Sequence, residues 1–173
     1  FGTNPAKWES THYSWQTVAD AAIENAKAVA DGANVIFDIS PTGRLMEPIG
    51  EYTFQEAYNN FRQIVEYTAS KVDGYLLETF ADLYEIKAAV LAIKENCNLP
   101  VFATMTFDNT LHTLPGSTPE IVALTLSSLG VDALGVNCSE SPDIVLEVVK
   151  RMKPFASVPL LAQANKGLPR LIN

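Results

Sequence analysis

Five polar residues stand at or near the carboxyl ends of five apolar runs in this chain, and their types are those that hold ligands or metals. Asp38 lies in V-I-F-D-I, Glu78 in Y-L-L-E-T, Thr106 in V-F-A-T-M-T-F, Cys138 in A-L-G-V-N-C-S, and Asn165 just beyond P-L-L-A-Q. A buried carboxylate is costly without a counterpart, so Asp38 and Glu78 each call for a ligand ammonium, a metal or a helix N-terminus. The plainer alternative for both is a capping or loop-bracing acid. Cys138 is the centre of the set. Ser141, Pro142 and Asp143 follow it as a capping serine, a proline at the first helical position and an acid in the first turn, which places the sulfur in a strand-to-helix turn. Oriented backbone N–H groups and the positive end of a helix dipole meet a sulfur there, and the thiolate is the form that binds metal or attacks carbon. The competing reading is a small apolar residue packed at a strand end.

Other reactive residue types are sparse. His12 and His112 are not at metal-ligand spacing from Cys138 and read as surface histidines, while Cys97, in E-N-C-N-L-P after a helix, reads as structural. A covalent nucleophile at Cys138 would need a nearby base, and neither histidine is placed for that. Trp8 and Trp15 read as packing residues around the first helix. Asn137-Cys138-Ser139 matches a glycosylation sequon, but its position in a buried strand discounts it.

The elements that position these residues follow from periodicity and punctuation. Residues 1–15 form an irregular connection into a helix at about 17–30, with Val18, Ala22, Ala26 and Val29 on one face and Asp31-Gly32 as its stop. A strand at 35–39 leads into S-P-T-G-R-L-M-E-P-I-G, long enough to fold over a sheet edge as a functional loop. The second helix begins near Thr53, its inward stripe formed by Phe54, Ala57, Phe61, Ile64, Val65 and Thr68. After a strand at 75–79, Asp82 and Glu85 make a capping-box-like start to a third helix facing the sheet through Leu83, Ile86, Val90 and Ile93. Strand 101–107 and a polar loop precede a capped start at Thr118-Pro119-Glu120, with a helix to about Leu129. The cysteine strand, a helix over 141–152 and a strand at 159–163 complete the chain.

Apolar strands alternating with helices predict a parallel sheet covered by helices. No Gly-rich phosphate fingerprint follows any strand, which argues against a nucleotide-binding sheet. The expected fold class is α/β: about five consecutive parallel βα units of a (β/α)₈ TIM barrel, an incomplete domain over residues 1–173 with the first and last strands missing, since a whole barrel takes about 250 residues.

Composition narrows the partners. At 173 residues, 47% hydrophobic and 18% charged, the chain suits one globular core. A formal charge of -8 speaks against a nucleic-acid or anionic-membrane surface and leaves small ligands or proteins. No apolar run approaches the roughly 20 residues of a membrane helix, and F-G-T-N-P-A-K-W resembles no signal sequence. Two cysteines make no disulfide framework, so a reducing cytoplasm is the predicted compartment. The opening without methionine points to a fragment or a trimmed product.

Taken in order, F-G-T-N, F-D-I-S-P-T-G-R-L-M-E-P-I-G, L-L-E-T-F-A-D-L-Y-E-I-K-A-A, A-T-M-T-F-D, D-A-L-G-V-N-C-S and A-N-K-G-L-P resemble the homocysteine S-methyltransferase domain family, closest to its cobalamin-dependent branch. The resemblance covers essentially the whole chain. It implies a (β/α)₈ barrel in which homocysteine binds at the carboxyl-end mouth as a thiolate on zinc held by three cysteines. By this resemblance Cys138, in G-V-N-C, is the first zinc ligand and the catalytic position. Glu78 matches the acid that meets the substrate ammonium, and Asn165 matches an asparagine beside the metal. Asp38 and its loop line the mouth, and Thr106 completes the substrate-binding set. The methyl donor is left open between methylcobalamin from another module, S-methylmethionine and betaine. S-P-T-G leans toward the cobalamin branch, although Ser40 replaces the expected glycine. The paired cysteines of the family lie beyond this chain, and its first barrel strand is also absent. The residues here are therefore expected to bind zinc weakly and to show no turnover alone. A rival from another class is a non-catalytic βα-barrel module that binds a small molecule and uses Cys138 for packing.

Overall fold

The computed structural model describes residues 2–8, 12–139 and 141–166. A short helix α1 (Pro5–Trp8) and a long helix α2 (Trp15–Val29) precede five strand and helix alternations. These are β1 (Ile36–Ile39), α3 (Phe54–Thr68), β2 (Gly74–Phe80), α4 (Leu83–Asn96), β3 (Val101–Met105), α5 (Pro119–Ser128), β4 (Ala133–Cys138), α6 (Pro142–Met152) and β5 (Leu160–Ala164), with a 3₁₀ turn at Lys153–Phe155. Among the described residues no helix is long and apolar enough to cross a membrane.

All five strands are parallel and stand in chain order, β1-β2-β3-β4-β5. The order never reverses, so the sheet lacks the switch point of a doubly wound fold and has the sequence of a barrel wall. The expected part of a (β/α)₈ barrel is therefore what the chain forms.

Period-2 alternation divides each strand between two faces. Phe37 and Ile39, Tyr75 and Leu77, Val101, Ala103 and Met105, and Leu134 and Val136 are buried against the helix layer. There they meet Phe61, Ile64 and Val65 of α3 and Ile86, Val90 and Ile93 of α4. The alternate positions, including Asp38, Glu78, Thr104 and Asn137, belong to the face that lines a barrel. Each long helix starts at a side-chain cap: Ser14, Thr53, Asp82, Thr118 and Ser141 accept from backbone N–H groups of the first turn. Four of these caps directly follow loops leaving the sheet, so they fix the helix starts at the mouth end of the strands.

Three boundaries depart from the sequence reading. α2 begins at Trp15 rather than near 17, because Ser14 Oγ takes the Thr17 N–H at 3.1 Å and Trp15 packs edge-on against Tyr67. β3 stops at Met105, two residues early. Glu85 does not complete a capping box with Asp82, which caps Tyr84 N instead. The Glu85 side chain is buried, and its Oε1 accepts from Thr42 N at 2.7 Å and Thr42 Oγ1 at 2.6 Å. Burial raises this carboxyl's pKa while the two Thr42 hydrogen bonds oppose the shift. The pair staples the loop after β1 to the start of α4.

β5 runs so close to β4 that a Cβ on Gly135 would stand 1.9 Å from the Leu161 carbonyl oxygen. Gly135→Ala is expected to push β5 away and cost about 2 kcal/mol or more, read as a lowered urea midpoint. Glu85→Ala leaves two buried Thr42 donors without an acceptor, and a loss of about 1–3 kcal/mol is expected in the same measurement. An unchanged midpoint for either variant contradicts the corresponding contact.

Candidate functional site

The carboxyl end of β2 is irregular in a way that shapes the site. Leu77 pairs with Ala103 and Phe80 with Met105, so Glu78 and Thr79 together face the single residue Thr104. Such a bulge redirects the side chains it carries. Thr79 has φ +62°, and at the end of β4 Cys138 and Ser139 both have φ +56°. Left-handed backbone at non-glycine residues costs on the order of 1–3 kcal/mol each and persists only where surrounding contacts enforce it.

Those contacts come from Asn137, buried to 3% exposure. Its Oδ1 accepts the Thr79 N–H at 2.9 Å and the Thr104 hydroxyl at 2.9 Å, and its Nδ2 donates to Thr79 Oγ1 at 2.8 Å. The same Nδ2 lies 3.4 Å from Cys138 Sγ, and Thr79 Oγ1 lies 3.7 Å from it. The half-buried sulfur thus sits between two side chains. Among the described residues these are its hydrogen-bonding neighbours, in place of the backbone N–H groups of α6 that the sequence suggested.

The remaining candidates gather around this centre. Asn165 follows β5, its N–H donating to Cys138 O at 3.4 Å and its Nδ2 to Ser139 O at 3.2 Å. Thr106 donates its hydroxyl to the Asn137 carbonyl at 3.3 Å, and Ser139 Oγ accepts from Phe107 N at 3.2 Å. Thr106 therefore braces the end of β4 with the group that was read as substrate-binding. Asp38 on β1 lies beside Glu78, and its Oδ1 is buried. Burial pushes the Asp38 pKa up to about 6, with Glu78 adding to the shift. Cys138, Glu78, Asn165 and Asp38 are thus assembled at the mouth ends of four strands.

The other reactive residues lie elsewhere. His112 is half-buried in the Asp108 turn, its Nδ1 2.7 Å from Thr110 O, and His12 is exposed near the start of α2. Cys97 caps the end of α4 and packs against the core. Sequence reasoning passed over Asn137, Thr79 and Thr104. Asn137 carried a usable signal: an amide inside an apolar strand requires partners for all its polar atoms. Thr79 carried none, because a bulge leaves no mark in the spacing of apolar residues.

As for metals, Cys138 places one sulfur at the mouth that could serve as a ligand. Among the described residues no group of three or more His, Cys, Asp or Glu gathers to hold an ion, so these residues do not by themselves make a metal centre.

The folded-state value of Asp38 lies above its ordinary 3.8, so ionising it costs stability as pH rises from there through about 6. Asp38→Asn is expected to raise the melting temperature at neutral pH and to have little effect below about pH 4. A melting-temperature difference that stays constant across that window contradicts the burial of this carboxyl.

Comparison with known proteins agrees with the fold. The chain is 35% identical over 104 residues to methionine synthase of Mycobacterium tuberculosis, covering 57% of this chain and 9% of that protein. It is 34% identical over 155 residues to betaine–homocysteine S-methyltransferase 1 of Sus scrofa, covering 87% of this chain and 53% of that one. The crystal structure of the homocysteine methyltransferase MmuM from Escherichia coli shares the fold with a TM-score of 0.68 at 19% identity, over 88% of this chain and 56% of that one. The chain spans about half of two of these relatives and a small part of the third. A family model of homocysteine S-methyltransferase matches residues 1–173, and the chain belongs to that family.

Proposed function

We propose that this chain is part of a zinc-dependent enzyme that transfers a methyl group to the thiol of homocysteine and releases methionine. The observation that carries this reading is the convergence of Cys138, the Glu78–Thr79 bulge and Asn165 at the strand ends of a chain of this family. In this reading Cys138 is one sulfur ligand of the metal. The remaining ligands come from outside the described residues.

Zinc, when bound, keeps a thiol deprotonated at neutral pH while leaving sulfur electrons for attack on an electrophilic methyl group. The bookkeeping of the transfer is simple: a sulfur–carbon bond forms, the donor–methyl bond breaks, and the thiol proton leaves to solvent. The chain's own residues bind and orient. Glu78 receives the substrate ammonium, and the neighbouring Asp38, mostly ionised at neutral pH with a value of about 6, adds negative charge that favours a cation there. Asn165 lies against the carbonyls of Cys138 and Ser139 and closes the side of the mouth toward β5. Methylcobalamin carried by another module is the proposed donor, supported by the similarity to methionine synthase and the S-P-T-G stretch. The proposed compartment is the cytoplasm. The 173-residue chain alone is proposed to bind zinc weakly and to turn over no substrate.

Cys138→Ala in the full-length protein is expected to abolish methyl transfer and to lower bound zinc on metal analysis. Glu78→Gln is expected to raise KM for homocysteine by about tenfold or more with zinc content unchanged. Full activity and zinc in the Cys138 variant would refute the proposal, as would tight stoichiometric zinc with turnover in the isolated chain for its last part.

A further inference from the structure

We infer that Asn137 is the positioning residue that locks the sulfur of Cys138 and the Glu78–Thr79 bulge into one unit, so that the site selects thiols that also carry an ammonium group. The inference rests on the reading of Glu78 and Cys138 given above and extends it to a residue with no direct role in binding.

The polarity of the network can be assigned without ambiguity. A backbone N–H is only ever a donor, so the Asn137 atom that meets Thr79 N at 2.9 Å is the amide oxygen. The other end is then the NH₂ group, with two hydrogens to place. One goes to Thr79 Oγ1 at 2.8 Å and the other faces Cys138 Sγ at 3.4 Å. Thr79 Oγ1, having accepted from Asn137, keeps its own hydrogen for the sulfur 3.7 Å away. The second acceptor direction of Asn137 Oδ1 is filled by the Thr104 hydroxyl at 2.9 Å. Every donor and acceptor of the amide is used, and the side chain has no alternative orientation that satisfies them all.

One strained residue and its neighbour depend on this amide. Thr79 holds φ +62° although it is β-branched, and both hydrogen bonds that pin its backbone and hydroxyl end on Asn137. Glu78, the preceding residue in the same bulge, takes its direction from that conformation. Without the amide, Thr79 loses both the acceptor for its N–H and the donor to its hydroxyl, and it is free to relax toward ordinary strand geometry and carry Glu78 with it. The sulfur loses both of its neighbouring donors in the same event. A merely structural amide would weaken the fold without separating one ligand from another, whereas a positioning amide controls whether thiol and ammonium are recognised together.

The test compares homocysteine with 4-sulfanylbutanoate, which has the same chain, thiol and carboxylate but lacks the amine. In the full-length, zinc-loaded protein, binding of each is measured by calorimetry and KM for each by methyl transfer. Asn137→Leu keeps the approximate volume but removes the acceptor for the Thr79 N–H and both donors. It is expected to shrink the preference for homocysteine over the analogue by about tenfold or more. Thr104→Val removes a hydroxyl shared between the same amide and the Leu77 carbonyl while leaving the bonds from Asn137 to Thr79 and the sulfur, and is expected to lower the melting temperature with the preference intact. Thr79→Val deletes the hydroxyl between Asn137 and the sulfur and gives a second reading if the Leu variant does not fold. Its preference is also expected to shrink. A preference equal to wild type in whichever of these two variants folds, or equal losses for both thiols, overturns the inference. So does a wild-type protein that binds the two thiols equally. Calorimetry reports the preference whether or not methyl transfer occurs, so absent turnover counts against the enzymatic reading alone.

Discussion

A primary amide shut away from water has two hydrogens to donate and two acceptor directions to fill, and leaving any of them unmet costs on the order of 1–3 kcal/mol. Asn137 meets this requirement by reaching from β4 across Thr104 on β3 to Thr79 on β2, which ties three parallel strands together on the face that lines a barrel. The same contacts hold Thr79 in a backbone conformation it would otherwise avoid and place its hydroxyl beside Cys138. The sulfur, the bulge and the direction of Glu78 are consequences of one satisfied side chain.

The sheet supplies the frame for that constraint. Because the strands are parallel and in sequential order, every strand delivers its last residues to the same rim, and every following helix starts there from a side-chain cap. Gly135 adjusts the frame locally, since only a residue without a side chain lets β5 approach β4 closely enough for Asn165 to reach the carbonyls of Cys138 and Ser139. The helix-facing side of the sheet is uniformly apolar and carries the stability. Its opposite face is free to hold polar groups.

Charge is handled differently at two places near the rim. Glu85 is buried and its Oε1 satisfied by two donors from Thr42, so it serves as a staple between a loop and a helix start. Asp38 is also withdrawn from water, and that burial, with Glu78 beside it, pushes its pKa up to about 6. The first acid is spent on the fold, and the second stands on the face that lines a barrel.

Much of this was legible in the residues. Alternating apolar runs and helix caps specify a parallel α/β sheet, because period and capping are local properties of neighbouring residues. The collinear motifs identify the family, and the strand-end positions of Asp38, Glu78, Cys138 and Asn165 follow from counting along each run. The sequence could not say that Glu85 would abandon its helix start for Thr42, that Thr106 would be used as a brace, or that β2 would bulge at Glu78 and Thr79. Those outcomes depend on which distant donor meets which acceptor once the strands are side by side. The sequence by itself determined the elements and the rim they share. Only the tertiary structure decided how the sulfur is held, because the groups that surround it, Asn137 and Thr79, lie 58 residues apart and meet only through the pairing of β2, β3 and β4.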